Sequence, residues 1–161
     1  MTPTEQFIGV LEDLKPGDLG RLRQSAGLPL DDSVAAFDLF AGLWWPLRQR
    51  DQRAPRREVA WLVAKLYGSC PMGQWHGATL ASSLGRIRSG RTGATRSGQQ
   101  RFDDLLTRDL SEIESALRWA AALVRKSRGC VDWVRLTDDL SVWERLETRV
   151  RWARQFQKQE D

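Results

Sequence analysis

Apolar residues along this chain recur at intervals of three and four, the spacing of helices that each bury one face. Phe7, Ile8, Leu11 and Leu14 form the first such stripe. Ahead of it stand Thr2, Pro3 and Glu5: a capping hydroxyl, a proline at the first helical position and a glutamate placed to reach back to the cap. Lys15-Pro16-Gly17 is predicted to end this helix. Asp18 is then placed to cap a short helix carrying Leu19, Arg21, Leu22 and Arg23, which Gly27-Leu28-Pro29 stops. A third helix, after Asp31-Asp32-Ser33, is expected to bury Val34, Phe37, Phe40, Ala41 and Trp44 and to end before Pro46. Together these predict one bundle.

Residues 48–58 are polar, basic and broken by Pro55, so they read as a loop feeding a helix with the stripe Val59, Leu62, Val63 and Leu66. Residues 68–77 cannot continue a helix and read as the joint between two lobes. A small-residue helix over 79–84 follows and runs into a loop rich in arginine and glycine. The second lobe begins near Gln99 with Phe102, Leu105 and Leu106, and continues over 111–126 with Ile113, Leu117, Ala120 and Val124 on one face. Gly129 breaks that helix, 131–140 form another, and Ser141 with Glu144 spells a capping box for a last stripe of Val142, Leu146, Val150 and Ala153. No segment alternates as a strand does. The expected fold is all-α, two small helical bundles joined by a Gly/Arg-rich connection, with an N-terminal lobe of basic loops over 1–98 and a C-terminal bundle over 99–161.

With 161 residues, 41% of them apolar and eight of them tryptophan, the chain has material for a real core. Its formal charge of +4 and pI near 9.6 favour a polyanionic partner. The distribution says more than the total, because no carboxylate occurs between Val59 and Phe102. Lys65, Arg86, Arg88, Arg91, Arg96 and Arg101 therefore have no acid close in sequence, and the arginines lie among glycines. Arginine's planar fork of donors matches phosphate oxygens, and glycine lets backbone approach a polyanion closely, so a phosphodiester chain is the natural partner. Arg56 and Arg57 fall in the first turn of a helix, where cations are disfavoured by about 0.3–1 kcal/mol each. That fits either an anion docked at the helix start or a solvated basic turn.

Catalytic material is sparse. Gly85 to Thr92 nearly spells the phosphate-binding loop of nucleotide hydrolases, but arginine replaces the lysine, no β-branched strand precedes it, and Gly93 and Gly98 argue against the helix that should follow. His76, the single histidine, has no nucleophile and orienting carboxylate beside it in sequence. Asp103-Asp104 and Asp138-Asp139 suit helix capping as well as they suit magnesium. Cys70 and Cys130 are widely separated, and with His76 they offer too few soft ligands for a metal site. The expectation is a protein with no enzymatic activity and no cofactor. The N-terminus lacks a basic segment followed by an apolar run, and no stretch is long enough to span a bilayer, so a cytoplasmic protein is expected. Trp75 lies near the arginines and could stack on unpaired bases, whereas Trp44, Trp61, Trp119 and Trp143 fall on or beside apolar stripes.

Taken in order, Arg21-Leu22-Arg23 after a glycine-containing turn, Ser83-Leu84-Gly85-Arg86, Ser89-Gly90-Arg91, Arg101-Phe102 with Leu106, and the tryptophan-rich C-terminal helices carry a family likeness over most of the chain. The chain resembles the CasB family, the small subunit of the type I-E CRISPR surveillance complex Cascade. The resemblance implies an all-helical, two-lobed, non-catalytic protein present as two copies packed head to tail. It implies partners in the other Cascade subunits, guide RNA and target DNA, with the basic face stabilising the R-loop and the displaced strand. Arg23, Arg56, Arg86, Arg91 and Arg101 are the matching basic positions, and a glycine-rich insertion over 92–97 departs from the family pattern. The candidate nucleic-acid contacts are thus Arg21, Arg23, Arg56, Arg57, Arg86, Arg88, Arg91, Arg96 and Arg101. The rival is a stand-alone helical DNA-binding regulator.

Overall fold

A computed structural model of the chain describes residues 1–90 and 96–157, with the backbone alone described at 88–90, 96 and 97. Among the described residues there are nine α-helices and one 3₁₀ turn. Extended backbone pairs there only at an isolated parallel bridge between Gln74 and Val131. The all-α expectation holds. Two compact units make up the chain, Met1–Gly73 and Gln74–Asp161. The division falls inside the 68–77 joint and not at 98/99, because the helix after the joint packs on the C-terminal helices and takes its arginines into the second unit.

The first unit contains α1 (Pro3–Glu12), α2 (Pro16–Gln24), the 3₁₀ turn (Leu30–Asp32), α3 (Val34–Arg50) and α4 (Arg57–Ser69). The capping box forms: the Thr2 hydroxyl accepts from the Glu5 N–H at 3.1 Å, and the Glu5 carboxylate accepts from the Thr2 N–H at 2.9 Å. Helix α2 starts earlier than Asp18 would cap it, with Lys15 in the cap position and Pro16 leading, so Asp18 sits in the first turn, where its charge suits the dipole. Helix α4 is the hub, buried at every residue from Val59 to Gly68. Helix α2 lies against it at Gly68, where a Cβ would come within 2.6 Å of the Leu22 Cβ.

Helix α3 departs from expectation twice. It runs through Pro46 to Arg50, and it buries Ala36, Phe40 and Leu47 while Val34 is 89% and Phe37 42% exposed. Its sequence is apolar on more than one face, so packing chooses the face. Phe40 stacks on Trp44 at 5.7 Å between centroids and meets Trp61 of α4 edge-on at 5.3 Å.

The second unit contains α5 (Leu80–Gly90), α6 (Arg96–Thr107), α7 (Glu114–Lys126), α8 (Trp133–Ser141) and α9 (Leu146–Gln157). Helices α5 and α6 both pack on α7 and α9. Phe102 stacks on Phe156 at 4.1 Å, and Trp143 meets Trp152 edge-on at 4.9 Å. Those aromatics set the phase of α9, which buries Thr148, Trp152 and Phe156 and leaves Leu146 72% exposed; the expected aliphatic stripe is displaced. Ser141 ends α8 and does not cap the last helix. No helix among the described residues is long and apolar enough to cross a membrane.

Candidate nucleic-acid interface

The stretch that resembles a phosphate-binding loop is helical up to Gly90. Its backbone N–H groups are committed to helical hydrogen bonds and cannot cradle a phosphate as a loop would. The expectation of arginines on a loop is likewise corrected: Arg86 and Arg88 belong to α5, and Arg96 and Arg101 to α6. Gly98 does not stop α6. A helical glycine costs about 1 kcal/mol relative to alanine, which burying Phe102 and Leu105 further along the helix outweighs. Arg91 and the 92–95 portion of the expected insertion lie outside the described residues, as do the side chains of Arg88 and Arg96.

Arg86 and Arg101 are exposed. The Arg101 guanidinium lies over the Trp119 ring of α7, 4.7 Å from its centroid, which holds the cation on the surface without neutralising it. In the first unit, Arg21 and Arg23 are exposed in the last turn of α2, with Arg21 at a long 4.0 Å from Asp18. Arg56 occupies the cap position of α4, 3.4 Å from Glu58, and Arg57 pairs with Asp31. These acids already sit beside the two cations at the helix start, a setting closer to the solvated basic turn than to a docked anion. Lys65 leaves the anion-seeking set altogether. It is 4% exposed, donates to the Leu28 carbonyl at 2.8 Å and lies over the Trp61 ring at 5.1 Å.

One basic group escaped sequence reasoning. Within the second unit, an open groove of about 600 Å³ is lined by Trp75, Arg86, Ile87, Val124, Ser127 and Arg128 among others. Arg128 lies just past the end of α7, whose last turn carries Arg125 and Lys126, and its place beside Trp75 follows from the fold and not from its neighbours in sequence. The signal available was the run of Arg125, Lys126 and Arg128 into Gly129, which ends that helix.

Trp75 is 63% exposed, yet its backbone is firmly held. Its N–H donates to the Val131 carbonyl at 3.2 Å, and the Asp132 N–H donates to the Ala78 carbonyl at 2.7 Å. The Asp132 carboxylate accepts from the Gln74 amide at 2.7 Å and from the Gly77 N–H at 2.9 Å, while the same carboxylate caps α8 through the Arg135 N–H at 3.0 Å. Burial pushes the Asp132 carboxyl upward, but the hydrogen bonds from Gln74, Arg135 and Gly77, with the nearby His76, together hold it below the usual carboxylate value.

Asp103, Asp104 and Asp139 each have partners of their own. No group of three or more histidine, cysteine or carboxylate side chains is placed to hold a metal among the described residues. Asp104 pairs with Arg108 at 2.8 Å, and Asp103 accepts from Gln99 at 3.0 Å. Asp139 is buried between Arg151 and Arg135 and accepts from the Trp152 indole at 2.9 Å. Cys70 is buried and Cys130 exposed.

Comparison with known proteins agrees with this architecture. No curated protein sequence matches the chain. Among solved structures, a CRISPR-associated Cse2-family protein from Thermus thermophilus is 31% identical, with 97% of this chain and 98% of that one covered at a TM-score of 0.74. CasB from M. ruber is 26% identical over 98% of this chain and 94% of that one, at a TM-score of 0.76. A chain of a CRISPR RNA-guided surveillance complex shares the fold at 18% identity and a TM-score of 0.71, over 99% of this chain and 95% of that one. The family model for CRISPR-associated protein Cse2 matches residues 18–156. The chain belongs to the Cse2 family of CRISPR-associated proteins.

Proposed function

We propose that this chain is the small, non-catalytic subunit of a type I-E Cascade complex, where it stabilises the guide RNA–target DNA R-loop and the displaced strand by sequence-independent phosphate contacts. The observation that carries the reading is the exposure of Arg86 and Arg101 on α5 and α6, inside a run of sequence from Val59 to Phe102 that contains no carboxylate. Membership of the Cse2 family, and a fold shared with a chain of an RNA-guided surveillance complex, supply the context. Opening an R-loop exchanges one duplex for another of similar stability, so modest backbone contacts suffice to bias it. Arg21, Arg23, Arg56, Arg57, Arg88, Arg91 and Arg96 complete the proposed contact set. Its partners are the other Cascade subunits, guide RNA, target DNA and a second copy of itself, in the cytoplasm, with no cofactor.

Two experiments test this. The tagged chain, expressed with the other subunits, is expected to co-purify with them and with guide RNA; its absence from that assembly contradicts the reading. The isolated protein is expected to leave DNA intact in magnesium, and degradation that is lost in His76→Ala or in Asp103→Ala with Asp104→Ala overturns the non-catalytic reading.

The helical setting of Arg86 and Arg88 gives the regulator alternative more support than a loop would. A recognition helix reads base edges, so that alternative requires one duplex sequence to bind about a thousandfold or more tighter than others. Titration of unrelated duplexes and single strands separates the two.

A further inference from the structure

We infer that the groove between Trp75 and Arg128 is a binding site for one unstacked nucleotide of a single strand, the base lying on the Trp75 indole and the adjoining phosphate held by Arg86 and Arg128. The inference rests on the nucleic-acid reading above and adds to it a base-contacting site that the arginines alone do not require.

Three features converge on it. The first is Trp75 itself. The indoles of Trp44, Trp61, Trp143 and Trp152 are each fixed by a hydrogen bond from the ring nitrogen to a carbonyl or carboxylate. Trp75 instead is 63% exposed, on backbone pinned to the 131–132 segment by the Trp75, Gly77 and Asp132 N–H bonds. A large exposed ring on a rigid mount loses little freedom when a base stacks on it.

The second is the backbone of Arg128. It is the one non-glycine residue with positive φ among the described residues, at 57°. Helix α7 ends in a Schellman motif, with the Gly129 N–H on the Val124 carbonyl at 2.8 Å and the Arg128 N–H on the Arg125 carbonyl at 3.0 Å. Glycine is the usual occupant of the left-handed position, and here arginine holds it. The glycine stands one place later, where a Cβ would come within 2.8 Å of the Val124 Cγ1. An arginine in a conformation that non-glycine residues seldom adopt, among the residues lining a groove, is an outlier that motivates a functional reading.

The third is the groove's own chemistry. Ala78, Ile87 and Val124 contribute apolar side chains to its lining, and Arg86, Arg128 and Ser127 contribute side chains that can donate hydrogen bonds. Its volume of about 600 Å³ lies within the ~300–1,000 Å³ of small-ligand clefts. Apolar side chains, an exposed indole and two guanidiniums in one lining match a base with its phosphate better than a bare anion.

The test is titration of the full chain with oligo-dT, with oligo-U and with an abasic oligodeoxynucleotide of equal length, across a salt series. The abasic strand is expected to bind the parent about 5- to 150-fold more weakly than oligo-dT, the equivalent of ~1–3 kcal/mol per stacked base. Trp75→Ala is expected to abolish that difference and leave the salt slope unchanged, while Trp75→Phe restores most of it. Arg128→Gly is expected to flatten the slope by roughly 0.7 with a melting midpoint no lower than the parent's. The dT and U arms report whether the site prefers a DNA or an RNA strand. Equal binding of abasic and intact strands by the parent, or no effect of Trp75→Ala, overturns the nucleotide site and leaves the phosphate-binding reading standing. No salt-dependent binding of any strand overturns both.

Discussion

The guanidinium of Arg101 on α6 sits over the Trp119 ring of α7 at 4.7 Å, so one of the arginines proposed to face nucleic acid is also part of the packing of its own unit. Exposed cation–π pairs contribute about 0.5–1 kcal/mol. Arg101→Ala is therefore expected to lower unfolding stability by about that much, whereas Trp119→Ala should cost more because it also removes a partly buried ring. Denaturant unfolding of both single variants and the double variant isolates the pair. A coupling of zero would show that the stacking carries no energy.

Asp139 gives a sharper stability prediction. Its buried carboxylate is shared by Arg151, Arg135 and the Trp152 indole, and it ties α8 to α9. Asp139→Asn keeps the shape and removes the charge. The expected loss is about 1.5–3 kcal/mol, the worth of hydrogen bonds to a charged group, at the lower end because both arginines are partly exposed. Equilibrium unfolding in urea measures it, and addition of magnesium is expected to leave the parent's curve unchanged.

The pinning of Trp75 carries a pH dependence. The Asp132 carboxyl is held below its ordinary value in the fold, so its contribution to stability is present in full above the unfolded value near 3.9 and is lost as pH falls through the folded one. The parent should therefore lose stability on acidification below about pH 4 more steeply than Asp132→Asn does. Thermal midpoints across an acid series check this. Identical slopes in the two proteins would count against the role given to this carboxylate.

Local signals were the legible ones. The Thr2, Pro3 and Glu5 box, the α4 stripe and the α7 stripe follow from residues within a turn or two of one another, and all form as expected. What sequence could not supply was the choice made by distant partners. Val34 and Phe37 continue an apolar pattern as well as Ala36 and Phe40 do, and packing against α1, α2 and α4 selects the second pair. Along α9, the aliphatic series Leu146 and Val150 competes with Trp152 and Phe156, and stacking on Phe102 and Trp143 decides for the aromatics. The arginine-bearing segments read as a loop because glycine weakens local helix propensity, while tertiary burial of Leu84 and Phe102 overrides it. Lys65 looked like a free cation since its partner, the Leu28 carbonyl, is far away in sequence. Arg128 joined the site only when the fold brought the end of α7 beside Trp75.

The proposed function depends most on Arg86 of α5 and Arg101 of α6, together with Arg91, binding phosphate. The direct measurement is single-stranded DNA affinity across a salt series, paired with thermal unfolding, for the parent and for the variant Arg86→Glu, Arg91→Glu, Arg101→Glu. The variant is expected to bind more weakly, to show a logarithmic salt slope flatter by roughly 2 units, and to keep a cooperative unfolding transition lowered only by what the Arg101 stacking contributes. Parent-like affinity with the parent's salt slope in a folded variant would contradict the account.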